Sequence, residues 1–339
     1  MIEGAVLEDV RGFLKGRVIL TAAELDLFTR LDKERATAED LAKGLECDRR
    51  CLTRLLDCLV ALELLSKQDS IYQNTKRGAL LSSEHPETEL PMVLHLNGLW
   101  ESWGGLTDTV RTGTNPKRKP VTERGKDSLK AFIGAMHVVG RDLSHEIADT
   151  CNLAPFKRLL DIGGATGTYT IAFLEKNSDM TAVLFDLPDV IPWAEERLGA
   201  ADLLERVELV AGDFYKDELP KGCDLVLLSA IIHQNSPEEN LELYRKIHRA
   251  VLPGGTLLIR DHVMEPARTS PPQGTLFAIN MLVNTKGGDT YTFAEIKETL
   301  EEAGFVEVKQ VREGERMDCL VEAKRSMDIL NEPAIRKRR

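Results

Sequence analysis

The chain has 339 residues, 44 basic and 55 acidic, giving a net charge of -11, and 42% of it is apolar. That length suggests two domains, or one large domain with an appendage, and the acidic balance argues against non-specific binding to nucleic acid or an anionic membrane. No apolar run approaches the roughly 20 residues of a membrane helix, and the start MIEGAVLEDV lacks the plan of a secretion signal, so a cytoplasmic protein is expected.

Residues 1–105 read as mostly helical. RVILTAAELDLFTRL has apolar residues at helical spacing. TAEDLAKGLECDRRCLTRLLDCLVALELLS reads as two helices around a turn at Cys47-Asp48, with Thr37 as N-cap and Asp40 three residues on. LLSKQDSIYQNTKRGALLS follows as two short strands around a polar turn. Helix-turn-helix plus a small hairpin is the plan of a winged helix. DNA reading is not expected of it, because Arg49, Arg50 and Arg54 share the second helix with Asp48, Asp57 and Glu63. The segment holds more apolar surface than a small helical unit can bury alone, which predicts a homodimer built through it. The six cysteines include no CxxC pair and read as buried free thiols; neither disulfides nor a metal is expected.

Residues 106–155 read as a linker with pocket-lining helices. RTGTNPKRKPVTERGKDS has the Gly, Pro and charge content of a loop. In the helix LKAFIGAMHVVGRDLSHEIADTCN, Phe132, Met136 and Val139 share one face, which serves either the core or a pocket between domains.

From residue 156 to 326 short apolar runs alternate with helices: RLLDIGG, TAVLFDLP, RVELVAGDF, CDLVLLSAIIH and GTLLIRDHVM, then FVEVKQV and MDCLVEAK close together. The spacing of the first four predicts an α/β fold with a parallel sheet covered on both faces. The last two predict an antiparallel hairpin at one edge. Residues 327–339 form a basic tail, expected to be mobile.

In LLDIGGATGTYT, Asp161, Gly163, Gly164 and Gly167 lie between a strand and a helix. Glycines there permit a tight turn and close approach of a ligand. An acid beside the turn gives nothing to a pyrophosphate but suits an ammonium or sulfonium, which favours S-adenosylmethionine over NAD. Asp186 ends the second strand, where a carboxylate can accept ribose hydroxyls. Asp213 ends the third, able to accept from an adenine amino group, with Phe214 offering an apolar face. The fourth run ends at His233 on the same edge. That is either a strand end reaching solvent or a general base, with Asp261 of the neighbouring strand fixing its tautomer. Asp261 could equally pair with Arg260 or Arg268; His248 and His262 read as surface or packing residues.

Together LLDIGGATG, FDLP, AGDF, IIHQNSPEEN, GGTLLIRD and AINMLVNTKGGDTYTFAEIKETLEEAGF resemble the winged-helix-dimerised class of S-adenosylmethionine-dependent O-methyltransferases, which act on plant phenolics, hydroxyindoles and bacterial polyketides. The resemblance runs to about Arg325. It implies a seven-stranded Rossmann-like catalytic domain behind the winged helix, an intertwined homodimer whose amino-terminal domain caps the partner's pocket, and a hydroxylated small-molecule acceptor. It also implies cofactor contacts by Gly163, Asp186, Asp213 and Phe214, with Leu187 and Gly212 in the same motifs, His233 as base, Asp261 as its orienting acid, and Met281 and Asn284 at the acceptor. Three positions depart from the pattern. His233-Gln234-Asn235 replaces His-Asp-Trp, Thr290 stands where many plant members carry a second histidine-orienting glutamate, and Ser229 replaces a lysine near the adenine. Methylation of carbon, another use of the bound cofactor, and a ligand-sensing winged-helix regulator are the competing expectations.

Overall fold

The computed structural model describes residues 5–120 and 123–327. The chain forms two compact units, Met1–Glu101 with Lys119–Val138, and Ser102–Arg118 with Val139–Arg339. No helix among the described residues is long and apolar enough to cross a membrane. Residues 328–339, most of the basic tail, lie outside the described residues.

The elements up to the catalytic sheet are α1 (Ala5–Glu24), α2 (Leu27–Lys33), β1 (Ala36–Thr37), α3 (Ala38–Gly44), α4 (Arg49–Ala61), β2 (Leu65–Gln68), β3 (Ile71–Asn74), α5 (Lys76–Ala79), α6 (Leu90–Trp103), α7 (Leu106–Thr112) and α8 (Lys126–Thr150). Thr37 and Asp40 close a reciprocal capping box at the start of α3, and Asp48 caps α4 by accepting from the Cys51 N–H at 2.8 Å. The expected hairpin forms as β2 with β3, and Ala36–Thr37 adds an unexpected third strand, giving the antiparallel order β1-β3-β2. Leu27, Phe28, Leu56, Leu59, Leu65 and Tyr72 make the core of this unit. On α1, by contrast, Val6, Leu7, Val10, Phe13 and Leu14 are each more than half exposed.

Two expectations fail in this stretch. Val139 is exposed, and the large apolar residues buried on α8 are Leu129, Ile133, Leu143 and Ile147, so the buried stripe is rotated from the expected face. The thiols are free, but only Cys223 and Cys319 are buried and Cys51 is exposed.

The second unit continues with β4 (Arg158–Ile162), α9 (Thr168–Lys176), β5 (Thr181–Asp186), α10 (Ile191–Ala200), β6 (Val207–Ala211), β7 (Cys223–Ser229), α11 (Pro237–Ala250), β8 (Val251–Asp261), β9 (Val263–Met264), α12 (Pro272–Asn284), β10 (Tyr291–Thr292), α13 (Phe293–Glu302), β11 (Phe305–Arg312) and β12 (Cys319–Arg325). Its seven-stranded sheet runs β11-β12-β8-β7-β4-β5-β6, parallel from β8 to β6, with β12 and β11 antiparallel at the edge. Alternation decides the two faces. Leu160, Ile162, Val226 and Leu228 pack with α11 and α13, while Leu159, Leu225 and Leu227 pack with α8, α9 and α10. The order reverses between β4 and β7, and a crevice at such a switch point is where open α/β sheets bind ligands.

Three local expectations change. The link from β6 to β7 is a loop without a helix. The strand written GTLLIRDHVM starts earlier, at Val251, and stops at Asp261; Val263–Met264 pairs instead with Tyr291–Thr292 in a separate parallel ladder. The fourth strand ends at Ser229, four residues before His233. Ala230 still donates to the Arg260 carbonyl at 2.8 Å but takes a left-handed backbone (φ 58°). The chain then makes one 3-10 turn, Ile232–Gln234, which carries the histidine.

Candidate active site

The turn from Gly163 to Gly167 joins β4 to α9. Gly163 donates its N–H to the Phe185 carbonyl at 2.8 Å with φ 68°, and a Cβ there would stand 2.8 Å from Ile231 Cδ1. Any other residue would be strained and crowded at once. Gly164 and Gly167 complete the turn, and Gly167 precedes α9. Gly212, after β6, lies where a Cβ would come within 2.5 Å of the Phe185 ring.

Asp186 ends β5. Its Oδ2 accepts from the Ala165 N–H at 2.8 Å and its Oδ1 from the Leu187 N–H at 2.7 Å. Each carboxylate oxygen therefore keeps a free lone pair, held in place by backbone on both sides. Burial raises its pKa despite these two bonds, so hydroxyl donors arriving from a ligand would relieve a real desolvation cost. Asp213 accepts from the Tyr215 N–H at 2.9 Å and pairs with Lys216 at 2.8 Å. Burial opposes its charge, but these partners outweigh burial and lower its pKa. The Phe214 ring beside it is half-buried and packs on the sheet core. These groups fit the ribose and adenine of S-adenosylmethionine.

Asp161 lies inside the end of β4, beneath the glycine turn. It is 1% exposed, accepts the Thr170 hydroxyl at 2.6 Å, and lies against Gly164. Burial pushes its carboxyl up to about 6. It also supports the turn from within, through the Thr170 hydroxyl on its Oδ2.

His233 is 9% exposed, and its Nδ1 lies 2.9 Å from both oxygens of Asp261. Asp261, 2% exposed, also accepts from the His262 N–H at 2.8 Å. Burial opposes its charge, yet His233 and Arg260 outweigh it and the carboxyl falls below its ordinary value. An ionised Asp261 fixes the Nδ1–H tautomer, which leaves His233 Nε2 with a lone pair and no proton. The alternative partners are engaged elsewhere: Arg268 pairs with Asp289 and Glu295, and Arg260 bonds Ser229 and the Met317 carbonyl. Thr290 accepts from Arg268 through its backbone carbonyl at 2.7 Å. Among the described residues, the His233 ring is hydrogen-bonded by Asp261 alone.

Two further residues belong here. Phe277, one helical turn before Met281 on α12, stands edge-on to His233, with ring centroids 4.8 Å apart at 88°. Its spacing to Met281 was the available signal. Asn235, where the family motif has tryptophan, is fully buried. Its Oδ1 accepts the Tyr215 hydroxyl at 2.5 Å, its Nδ2 donates to Asn240 Oδ1 at 3.0 Å, and Asn240 donates to the Ile232 carbonyl at 2.9 Å. This network secures the turn that bears His233.

Met281 is buried, and Asn284 donates to the Asn280 carbonyl and Oδ1 at 2.9 and 3.0 Å. Phe132 and Met136 are half-buried on α8 in the first unit, where the Phe132 ring lies 5.2 Å from that of His95. His262 and His248 are packing residues: His262 is 5% exposed, and His248 meets Phe305 edge-on.

Residues 7–84 match the model of the O-methyltransferase dimerisation domain, and residues 119–306 that of the O-methyltransferase domain. Among curated proteins, the chain is 28% identical over 320 residues to the tetracenomycin polyketide synthesis 8-O-methyl transferase of Streptomyces glaucescens, covering 90% of this chain and 92% of that one. It is 30% identical over 309 residues to the 3-hydroxy-5-methyl-1-naphthoate 3-O-methyltransferase of Streptomyces sahachiroi, covering 89% of each. The crystal structure of human N-acetylserotonin methyltransferase in complex with S-adenosylmethionine superposes with a TM-score of 0.81 at 22% identity, covering 96% of this chain and 99% of that one. The matched domains span most of the chain, and the protein belongs to the S-adenosylmethionine-dependent O-methyltransferase family.

Proposed function

We propose that the protein methylates a hydroxyl of an aromatic or polycyclic small molecule, with His233 as the general base and Asp261 orienting it. The observation that carries this reading is the buried His233–Asp261 pair, 2.9 Å apart, on the turn beyond β7 at the carboxyl edge of the sheet. The cofactor, when bound, supplies an electrophilic methyl group on sulfur. Asp186 is suited to the ribose hydroxyls, Asp213 and Phe214 to the adenine, and the Gly163–Gly167 turn lets the chain approach closely. His233 Nε2 takes the acceptor's hydroxyl proton as the new bond forms. Asp261 then stabilises the resulting imidazolium. Phe277, Met281 and Asn284 offer an apolar and amide-lined surface near the base. The names of the relatives, which act on a tetracenomycin polyketide and a hydroxynaphthoate, support a phenolic acceptor.

The dimerisation-domain match and the exposed apolar side of α1 support a homodimer. Light scattering at micromolar concentration should give twice the chain mass, and a monomer mass would contradict the dimer. The free cysteines support a reducing, cytoplasmic setting. The acceptor reading is tested with a panel of phenols and hydroxylated polycyclic compounds, each paired with its methyl ether. Product should form from the free hydroxyl and not from the blocked one. Equal methylation of a blocked compound would point to carbon as the acceptor.

A further inference from the structure

Arg260 is a buried cation with carboxylates near it but none in contact. It is 6% exposed and forms no ion pair among the described residues. Its Nε donates to Ser229 Oγ at 2.8 Å and its Nη1 to the Met317 carbonyl at 2.6 Å, both uncharged acceptors. Its guanidinium lies 5.0 Å from the centre of the Tyr169 ring, in the first turn of α9. The carboxylates that feel its charge, Asp161 and Asp261, are already bonded to Thr170 and His233. A buried charge without a direct ion pair is only partly compensated by such neighbours, and the positive end of a helix beside it adds to the cost.

A second group in the same corner is also unsatisfied. The Tyr169 hydroxyl is buried and makes no hydrogen bond of good geometry among the described residues; its one polar neighbour is Ser229, whose oxygen already accepts from Arg260.

Register places this corner. Ile162 pairs with Leu228 and Ser229 pairs with Arg260, so Gly163, Ser229 and Arg260 stand level at the carboxyl edge of β4, β7 and β8. On the reading above, the adenine belongs at β6 and the ribose at β5. The amino-acid end of the cofactor then extends across β4 toward β7, and its carboxylate is the cofactor's one anionic group. We propose that Arg260, with the Tyr169 and Ser229 hydroxyls, forms the seat of the cofactor's methionyl carboxylate.

The assignment rests on the cofactor reading, and the test separates the two. Calorimetry compares S-adenosylhomocysteine with its decarboxylated analogue, which keeps the amine and loses only the carboxylate. The wild type should favour the carboxylate-bearing ligand. Arg260→Gln should weaken S-adenosylhomocysteine by about 10- to 100-fold, the range of a charge-assisted hydrogen bond, and leave the analogue within about threefold. Arg260→Lys should retain part of the discrimination. Tyr169→Phe, a smaller change that keeps the fold if Arg260→Gln does not, should weaken only the carboxylate-bearing ligand, by several-fold. Equal weakening of both ligands, or of neither, overturns the proposal. A wild type that binds neither ligand overturns the cofactor reading itself, and the carboxylate seat with it.

Discussion

Replacing Asp261 by Asn keeps the shape of the side chain and removes its charge. In the native site Oδ1 accepts from both His233 Nδ1 and the His262 N–H, and Oδ2 stands equally close to Nδ1. The amide can keep its oxygen toward the His262 N–H, but its NH2 then faces His233. Two donors oppose each other unless the imidazole moves its proton to Nε2, and in that tautomer Nε2 cannot act as a base. The variant also loses the anion that stabilises the imidazolium, a charged hydrogen bond worth about 1.5–3 kcal/mol, or roughly 10- to 150-fold. Removal of the base altogether sets the ceiling, about 10²–10⁴-fold. We therefore expect Asp261→Asn to lower kcat by about 30- to 1,000-fold. Affinity for S-adenosylhomocysteine should stay within about twofold, and the fold should persist because burying an amide costs less than burying a charge. The assay is single-turnover methyl transfer over a series of phenols of falling pKa. The deficit should shrink as the phenol becomes more acidic, because less proton transfer is then required. A kcat within about threefold of wild type, or a deficit independent of phenol pKa, would refute the reasoning.

Asp186→Ala removes a carboxylate that the Ala165 and Leu187 N–H groups hold in place; calorimetry should show S-adenosylhomocysteine binding weakened by about 1.5–3 kcal/mol. Asp161 gives a pH prediction for the ligand-free protein. Its folded pKa, raised to about 6, means that its stabilising contribution is full below the ordinary carboxyl value and lost as pH rises through about 6. Asp161→Asn removes that loss, so urea unfolding should show the variant gaining on wild type by up to about 3 kcal/mol between pH ~4 and ~7. A difference independent of pH would contradict the buried, hydrogen-bonded placement of this acid.

The sheet was legible because its strands are short β-branched and leucine runs separated by crossover-length segments, and because acids and glycines mark the ends of β4, β5 and β6. The wing was legible through Thr37, Asp48 and the two polar turns. What sequence could not settle depends on contacts distant in the chain. The buried face of α8 is chosen by its neighbours, so Ile133 and Leu143 go inside and Val139 does not. The hydrogen bond from Thr170 to Asp161, nine residues back, has no local pattern to announce it. The end of β7 was misplaced because the run Ala230–Ile232 is apolar; only the left-handed backbone at Ala230 turns His233 onto a 3-10 turn. The buried links from Asn235 to Tyr215 and Asn240 join residues 20 and 5 positions apart, with no local pattern to announce them.

The central claim is that His233 removes the acceptor proton. The most direct measurement is kcat of His233→Ala with a phenolic acceptor, with S-adenosylhomocysteine affinity determined on the same preparation. Loss of the base should lower kcat by about 10²–10⁴-fold while cofactor affinity stays within about twofold, since Asp186, Asp213 and the Gly163 turn are untouched. Near-wild-type turnover with intact cofactor binding would contradict the account and leave His233 as a buried residue paired to Asp261 without a part in methyl transfer.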